Sequence, residues 1–487
     1  MNNPSPSVGI PPSDPTAAEG LAKRWHVGTL SYSTNGLVRV FVWLLGGDFG
    51  LSMKDRAVAP IAMVMLRTMS TPVWIVGLLV GSIPSAMGLF LGPVISVKSD
   101  RYRSRWGRRI PFILIPAPFV FLSMLGLAFA PNMGVAMSHW LGSRTSTFAC
   151  QIAVFALCWT IYEMMATIAA ALVGALVNDV VPQAVIGRFF GLFRVVSLVA
   201  GIIFNQWLMG QSERHFRALL VTMGLIYGIG VTLMCLMVKE GQYPPPEARA
   251  QGSFNDRFIV PVVKYLRECY GNPYFLWFFL ATTIGSVAIV PVNAFSIYQA
   301  TSVGMSDQMF GHCQAISYAW SVLLAYPLGV LADRFHPLRL AIAILLAYLA
   351  TTVFGFFFAS TASAFYVALL LHTVISGCYW TGTASIAQRL LPREKFAEIS
   401  SAGGIIAGII NMILPPVLGG FIALMHHEYR YVFLLAAALS AIGAGCFVVL
   451  LKKYLELGGE NAKANLAPSL HIPPAFEIIP DDPEPKL

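Results

Sequence analysis

The sequence predicts an all-α integral membrane protein of about twelve transmembrane helices in two six-helix bundles. Three observations carry that expectation. Of 487 residues, 56% are hydrophobic and 11% are charged, whereas an ordinary soluble domain carries about 25% charge. The apolar residues fall into twelve runs, each able to cross a bilayer core, which needs about 20 residues as a helix. The basic residues gather in alternate short connections between those runs, the pattern of loops on the cytoplasmic side.

The first six runs lie near 36–66, 74–97, 110–130, 149–177, 188–209 and 217–238. Six more follow near 273–299, 310–331, 338–360, 364–390, 400–425 and 430–453. Prolines and glycines inside them are no obstacle, because membrane helices tolerate both. Between the two sets, residues 239–272 contain Pro244-Pro245-Pro246 and mixed charge, and read as a linker. Residues 1–35 and 454–487 are expected to be tails, flanking bundles over 36–238 and 273–453. The first 22 residues lack the apolar core of a cleavable signal, so the first run is expected to direct its own insertion.

Orientation follows from Lys and Arg. One set of loops holds Lys98, Arg101, Arg103, Arg105, Arg108 and Arg109, then Lys239, Arg249, Arg257, Lys264 and Arg267, then Arg334 and Arg339. The alternate set holds few, among them Arg67, Arg144, Arg214, Arg217 and Arg430. Both termini are therefore expected in the cytoplasm. The net charge of +9 is accounted for by these loops, and nucleic acid is not an expected partner. The expected partners are the lipid bilayer and a small solute.

The two sets also share a pattern. The second run ends in Ser99-Asp100-Arg101, followed by Arg105-Trp106-Gly107-Arg108-Arg109. The eighth ends in Ala332-Asp333-Arg334, followed by Arg339. Parallel six-helix repeats are a feature of one transporter architecture, which binds its substrate between the repeats near the midplane.

The stretch from Ser99 to Ile113 resembles the loop between helices two and three of the major facilitator superfamily. It is most similar to the form in glycoside-pentoside-hexuronide symporters and sucrose transporters. Gly47-Asp48-Phe49-Gly50, Ala59-Pro60 and Asn178-Asp179-Val180-Val181-Pro182 extend the resemblance over most of the first half. It implies the major facilitator fold and sugar or glycoside transport by alternating access. It also implies a conformational latch of Asp100, Arg101, Arg105, Gly107, Arg108, Arg109, Asp333 and Arg334, since a helix-end Asp can pair with Arg in one state and release it in another. One departure matters. Gly88 and Gly92 stand where melibiose permease has two sodium-binding aspartates, so protons are the expected coupling ion.

Charge inside a membrane is costly and marks function. The first run carries Asp48, Lys54, Asp55 and Arg56 near its centre, with Glu163 in the fourth run and Arg194 in the fifth. Asp48, Ser52 and Asp55 share one face of a helix. Three cations can balance three carboxylates in one network, and a carboxylate among them is the expected proton carrier. The alternative is a short first helix, with Lys54-Asp55-Arg56 in a loop.

Candidate solute contacts are Trp43, Trp159 and Tyr162 in the first half, and Asn293, Gln314, Tyr318, Trp320, His372, Tyr379, Trp380 and Asn411 in the second. Asn293 and Asn411 stand out because an amide within a span needs a partner. Helix packing and interhelical hydrogen bonding compete for every one of these residues. No phosphate-binding loop or catalytic motif occurs, so neither ATP-driven transport nor enzymatic activity is expected, and no metal or cofactor. Two alternatives stand beside a proton-coupled sugar carrier: a carrier or exporter of another solute, including an anion, and a non-transporting assembly factor or sensor on the same fold.

Overall fold

The computed structural model describes residues 25–142, 146–242, 269–392 and 396–459. Most of the linker and both tail ends lie outside them. A hairpin opens the described chain, with Trp25–Val27 antiparallel to Leu30–Tyr32. Every regular element after it among the described residues is helical. Helix α1 runs unbroken from Thr34 to Thr68, with the Ser33 hydroxyl accepting from the Gly36 N–H at its start. At about 1.5 Å per residue, its 35 residues outreach a hydrocarbon core of about 30 Å. Lys54-Asp55-Arg56 are therefore well inside a helix, and the short-helix alternative is excluded.

The chain next passes through Val73–Val76 and a π-helical turn, Gly77–Ser82, into α2 (Ile83–Arg101). Then follow a short turn Ile110–Leu114, α3 (Pro116–Leu141), α4 (Thr147–Val180), α5 (Gln183–Ile203) and α6 (Ser212–Met237). In the second half are α7 (Pro273–Val287), α8 (Val290–Ser302), α9 (Asp307–Phe335), α10 (Pro337–Phe358), α11 (Ala362–Thr383), α12 (Phe396–Leu424) and α13 (Tyr431–Glu456).

Eleven helical stretches among the described residues are long and apolar enough to cross a membrane. One of them, Phe189–Met237, has 49 residues, far too many for one crossing. Its two ends return to the same face: Asp179, just before α5, and Glu240, just after α6, both bind the Arg108–Arg109 segment. The stretch therefore crosses twice, turning through a π turn at Phe204–Leu208 and the non-helical His215. Among the described residues twelve crossings result, the number of apolar runs in the sequence. One expectation needs correction. The run 273–299 is not one helix but α7 and α8, broken at Ala288–Ile289. The break comes just before Pro291, which lacks an N–H and disfavours helix in the residue ahead of it.

Within the first half, α1 packs on α5 and α6, and α3 on α4 and α6; within the second, α13 packs on α7 and α10, and α11 on α9 and α10. Between the halves, the Gly77–Ser82 turn and α2 meet α12, while α5 and the turn after it meet α9. Glycine permits the first approach. A β-carbon on Gly77 would lie 2.5 Å from the Pro415 carbonyl oxygen. On the other side, His312 reaches Gln206 at 2.9 Å. These approaches lie between the midplane and the face opposite the Arg108–Arg109 loop.

Candidate solute cavity and its charge cluster

Asp48 and Lys54 are buried in α1, at 3% exposure each. The Ser52 hydroxyl donates to Asp48 Oδ1 at 3.4 Å, one turn along the helix, while Asp48 Oδ2 has no partner. Lys54 forms an ion pair with Asp55. Its ammonium also lies 5.6 Å from the Tyr162 ring and 5.9 Å from the Tyr227 ring, within reach of cation–π attraction. Glu163, on α4, lies within electrostatic reach of both Lys54 and Asp55.

Arg56 turns elsewhere, because one residue along a helix is about 100° around it. Its guanidinium bonds the Tyr318 hydroxyl and Ser197 Oγ, each at 3.4 Å, and sits 5.0 Å from the centre of the Tyr318 ring. Arg194 lies within electrostatic reach of Arg56 and Tyr318. The expected single network of three cations and three carboxylates is therefore corrected. Asp48, Lys54, Asp55 and Glu163 form one group, and Arg56 and Arg194 another against α9. Lys54–Asp55 is the one ion pair within the set among the described residues.

A cavity of about 310 Å³ lies between the halves, lined by Met63, the Gly77–Gly81 turn, Ser85, Asn293, Asn411 and Pro415. Its volume is at the small end of the about 300–1,000 Å³ seen for ligand pockets. A second space of about 340 Å³ shares Ser85 and Asn411 and is otherwise lined by Gly88, Leu89, Gly404, Ile405 and Gly408. The two asparagines singled out in the sequence thus converge on one cavity. Gly88, one of the positions of the missing sodium aspartates, lines the adjoining space.

The other candidates separate into several environments. His372 is buried at 1% exposure, bonded to Tyr348 at 2.8 Å and to Asn293 at 2.9 Å. Gln314 accepts from the Thr373 hydroxyl at 2.9 Å. Trp159 is fully buried, and its indole N–H donates to the Leu79 carbonyl at 2.6 Å. Tyr379 is buried with its hydroxyl on the Thr282 carbonyl at 3.4 Å. For Trp159 and Tyr379 the solute-contact expectation is corrected: their polar atoms are used inside the fold. Tyr162 is buried beneath Lys54, and Trp43 is half-buried. Trp320 and Trp380 are exposed and line neither space.

In the loop after α2, the Arg108 guanidinium donates to both carboxylate oxygens of Asp179, the shortest bond being 2.8 Å. Arg109 reaches Asp179 at 3.3 Å and Ser99 Oγ at 3.2 Å. Glu240 accepts the backbone N–H groups of Arg108, Arg109 and Ile110 at 2.9, 2.8 and 2.7 Å. Gly107 has φ +105°, and a β-carbon there would meet Glu240. Asp179 and Glu240 are thus carboxylates of this cluster that the expected latch did not include. The side chains of Asp100 and Asp333 lie outside the described residues; Arg101 and Arg334 are exposed, and Arg105 lies 5.9 Å from the Trp106 ring. Sequence reasoning also missed Arg67, which grips Asp307 at the start of α9. Its one visible signal was charge at the ends of two runs.

Residues 59–387 match the family described as MFS/sugar transport protein. The chain belongs to that family. Members of the MFS/sugar transport family are transporters rather than enzymes. The chain is 24% identical over 228 residues to the general alpha-glucoside permease of Schizosaccharomyces pombe, covering 45% of this chain and 39% of that one. It is 28% identical over 118 residues to the membrane-associated transporter protein of Mus musculus, covering 23% and 21%. The matched region thus spans well under half the length of these relatives. Among solved structures, a D-xylose-proton symporter superposes with TM-score 0.59 at 12% identity, covering 85% of this chain and 97% of that one. The nucleoside transporter NupG gives 0.58 at 13%, covering 85% and 99%. A bacterial homologue of human Spinster, inward-facing and unoccupied, gives 0.60 at 15%, covering 86% and 97%. At such identities these likenesses show the fold alone.

Proposed function

We propose that this protein is a secondary transporter that carries a neutral sugar or glycoside by alternating access, coupled to protons, with both termini in the cytoplasm. The observation that carries the reading is the cavity between the halves. Two amides converge there and no charged side chain among the described residues lines it, the composition suited to a polar, uncharged solute. The family match and the alpha-glucoside permease support the substrate class. With the Arg108–Arg109 loop in the cytoplasm, as proposed, the Arg67–Asp307 bond and the approaches near it would close the outer face, which supports an inward-facing state. Asp48, Asp55 and Glu163 are the proposed proton carriers, within one helical turn or electrostatic reach of Lys54 or of one another.

A second reading, an anionic solute, draws on Arg56 and Arg194, which have no carboxylate partner among the described residues. Purified protein in liposomes, given a proton gradient and radiolabelled maltose, sucrose, methyl α-glucoside or a glucuronide, separates the readings. Gradient-stimulated uptake of a neutral sugar is expected. Uptake of the glucuronide alone favours the anion reading. Binding without flux points to a non-transporting sensor and overturns both.

A further inference from the structure

Asn293 sits on α8 just past the break between α7 and α8, with its side chain exposed at the cavity. Behind it lies a buried chain of hydrogen bonds. Tyr348 of α10 and His372 of α11, each at 1% exposure, join at Nδ1 of the imidazole, and Nε2 joins Asn293 Oδ1 at 2.9 Å. The chemistry of the atoms sets the direction of each bond. An amide oxygen only accepts, so Nε2 must carry a proton. With that single ring proton in place, Nδ1 is an acceptor, and the Tyr348 hydroxyl donates to it. Each partner is held by the next, and the tyrosine has no other described bond to turn to.

We infer that the Tyr348–His372–Asn293 chain is a built donor site: it holds the Asn293 amide with its two N–H donors turned into the cavity, where they bind an acceptor oxygen of an uncharged polyol. With the amide reversed, Nε2 would accept from Asn293, Nδ1 would carry the ring proton and donate to the Tyr348 hydroxyl, and the hydroxyl's own buried proton would be left with no described acceptor, a costly loss that favours the first arrangement. The cavity therefore presents donors from Asn293 whichever solute enters. Asn411 faces the same space from α12 with no described partner, and is free to donate or accept. A hydroxyl or ring oxygen suits the Asn293 side, whereas a cationic group does not, because donors repel it. Tyr348 and His372 are positioning residues here, and only Asn293 touches the solute. The substrate class rests on the sugar-carrier reading; the amide orientation does not.

The test has two arms, both on the full chain in lipid nanodiscs or liposomes. In the first, the protein is labelled with 15N-histidine, and the resonances absent from His372→Gln are assigned to His372. A neutral Nε2–H tautomer in wild type, altered in Asn293→Ala, is expected; an Nδ1–H tautomer overturns the donor site. In the second, uptake of methyl α-glucoside is compared with its monodeoxy derivatives. Asn293→Ala is expected to raise KM about five- to tenfold, the scale of one hydrogen bond, with Vmax per folded protein kept. One deoxy derivative should suffer the same loss in wild type and no further loss in Asn293→Ala. Additive losses for every derivative, or an unchanged KM, overturn the binding role. Tyr348→Phe should raise KM about threefold and disturb the His372 signal, while unchanged values of both would also overturn the chain. A wild type that carries none of these sugars defeats the sugar reading, and the histidine spectrum still decides the orientation of Asn293.

Discussion

Arg67, at the end of α1, binds both carboxylate oxygens of Asp307, at the start of α9, with distances of 2.9 and 2.7 Å. It also donates to Thr301 at 2.6 Å and faces Glu213 at 3.6 Å. The bond joins the two halves on the face opposite the Arg108–Arg109 loop. Both side chains are largely buried, at 16% and 10% exposure, so the pair is screened far less than a surface ion pair.

Breaking it should open that face. Loss of a partly buried bidentate bond costs about 2 kcal/mol, roughly a 30-fold shift between two conformations. Asp307→Asn is expected to raise alkylation of a cysteine placed at Ala294, applied from the outside, by more than tenfold. The charge-swapped double variant Arg67→Asp/Asp307→Arg should restore most of the protection. Unchanged labelling in Asp307→Asn would rule out a gating role.

Proton coupling should depend on the α1–α4 carboxylates. Asp48 Oδ2 is buried without a partner, and Glu163 faces the Lys54–Asp55 pair. Asp48→Asn, Asp55→Asn and Glu163→Gln are each to be measured for uptake across a pH series. At least one is expected to lose the stimulation by an inward proton gradient while keeping sugar exchange. Full coupling in all three would remove these residues from the mechanism.

Arg56 and Tyr318 join the halves near the midplane. The contact combines a long hydrogen bond with a cation–π interaction, together about 1–2 kcal/mol when shielded from water. Tyr318→Phe keeps the ring and should change transport rate less than threefold. Tyr318→Ala removes both terms and should slow exchange by about tenfold, measured as counterflow in liposomes.

Glu240 satisfies three backbone N–H groups at the start of the helical turn before α3. Unmet donors at a helix start are costly, and a carboxylate there also meets the favourable end of the helix dipole. Glu240→Ala is expected to lower the melting temperature by several degrees without altering KM. Gly107→Ala should behave alike, because its φ of +105° disfavours any β-carbon and Glu240 occupies the space. A melting curve matching wild type for both would show the cluster to be dispensable.

Much of the site was legible one residue at a time. Asn293 and Asn411 were found because an amide in an apolar span needs a partner, and both line the cavity. Trp159 and Tyr379 needed partners by the same rule. Their polar atoms do have partners, but these are backbone carbonyls of Leu79 and Thr282, distant in the chain and carrying no sequence mark. Tyr348 was missed because one more tyrosine in an apolar run looks like packing until His372 is beside it.

The sequence by itself determined the solvent, the class of fold and the number of crossings, because hydropathy and loop charge act locally and add up along the chain. It also put a charge cluster in the middle of α1, since a 35-residue helix has no choice about where residue 54 falls. Only the tertiary structure decided how those charges divide, which carboxylates hold Arg108 and Arg109, and that Arg67 reaches Asp307 across 240 residues of sequence. The physical reason is direction. Composition says that a buried polar group must find a partner, but the packing of one helix on another selects which partner lies within about 3 Å.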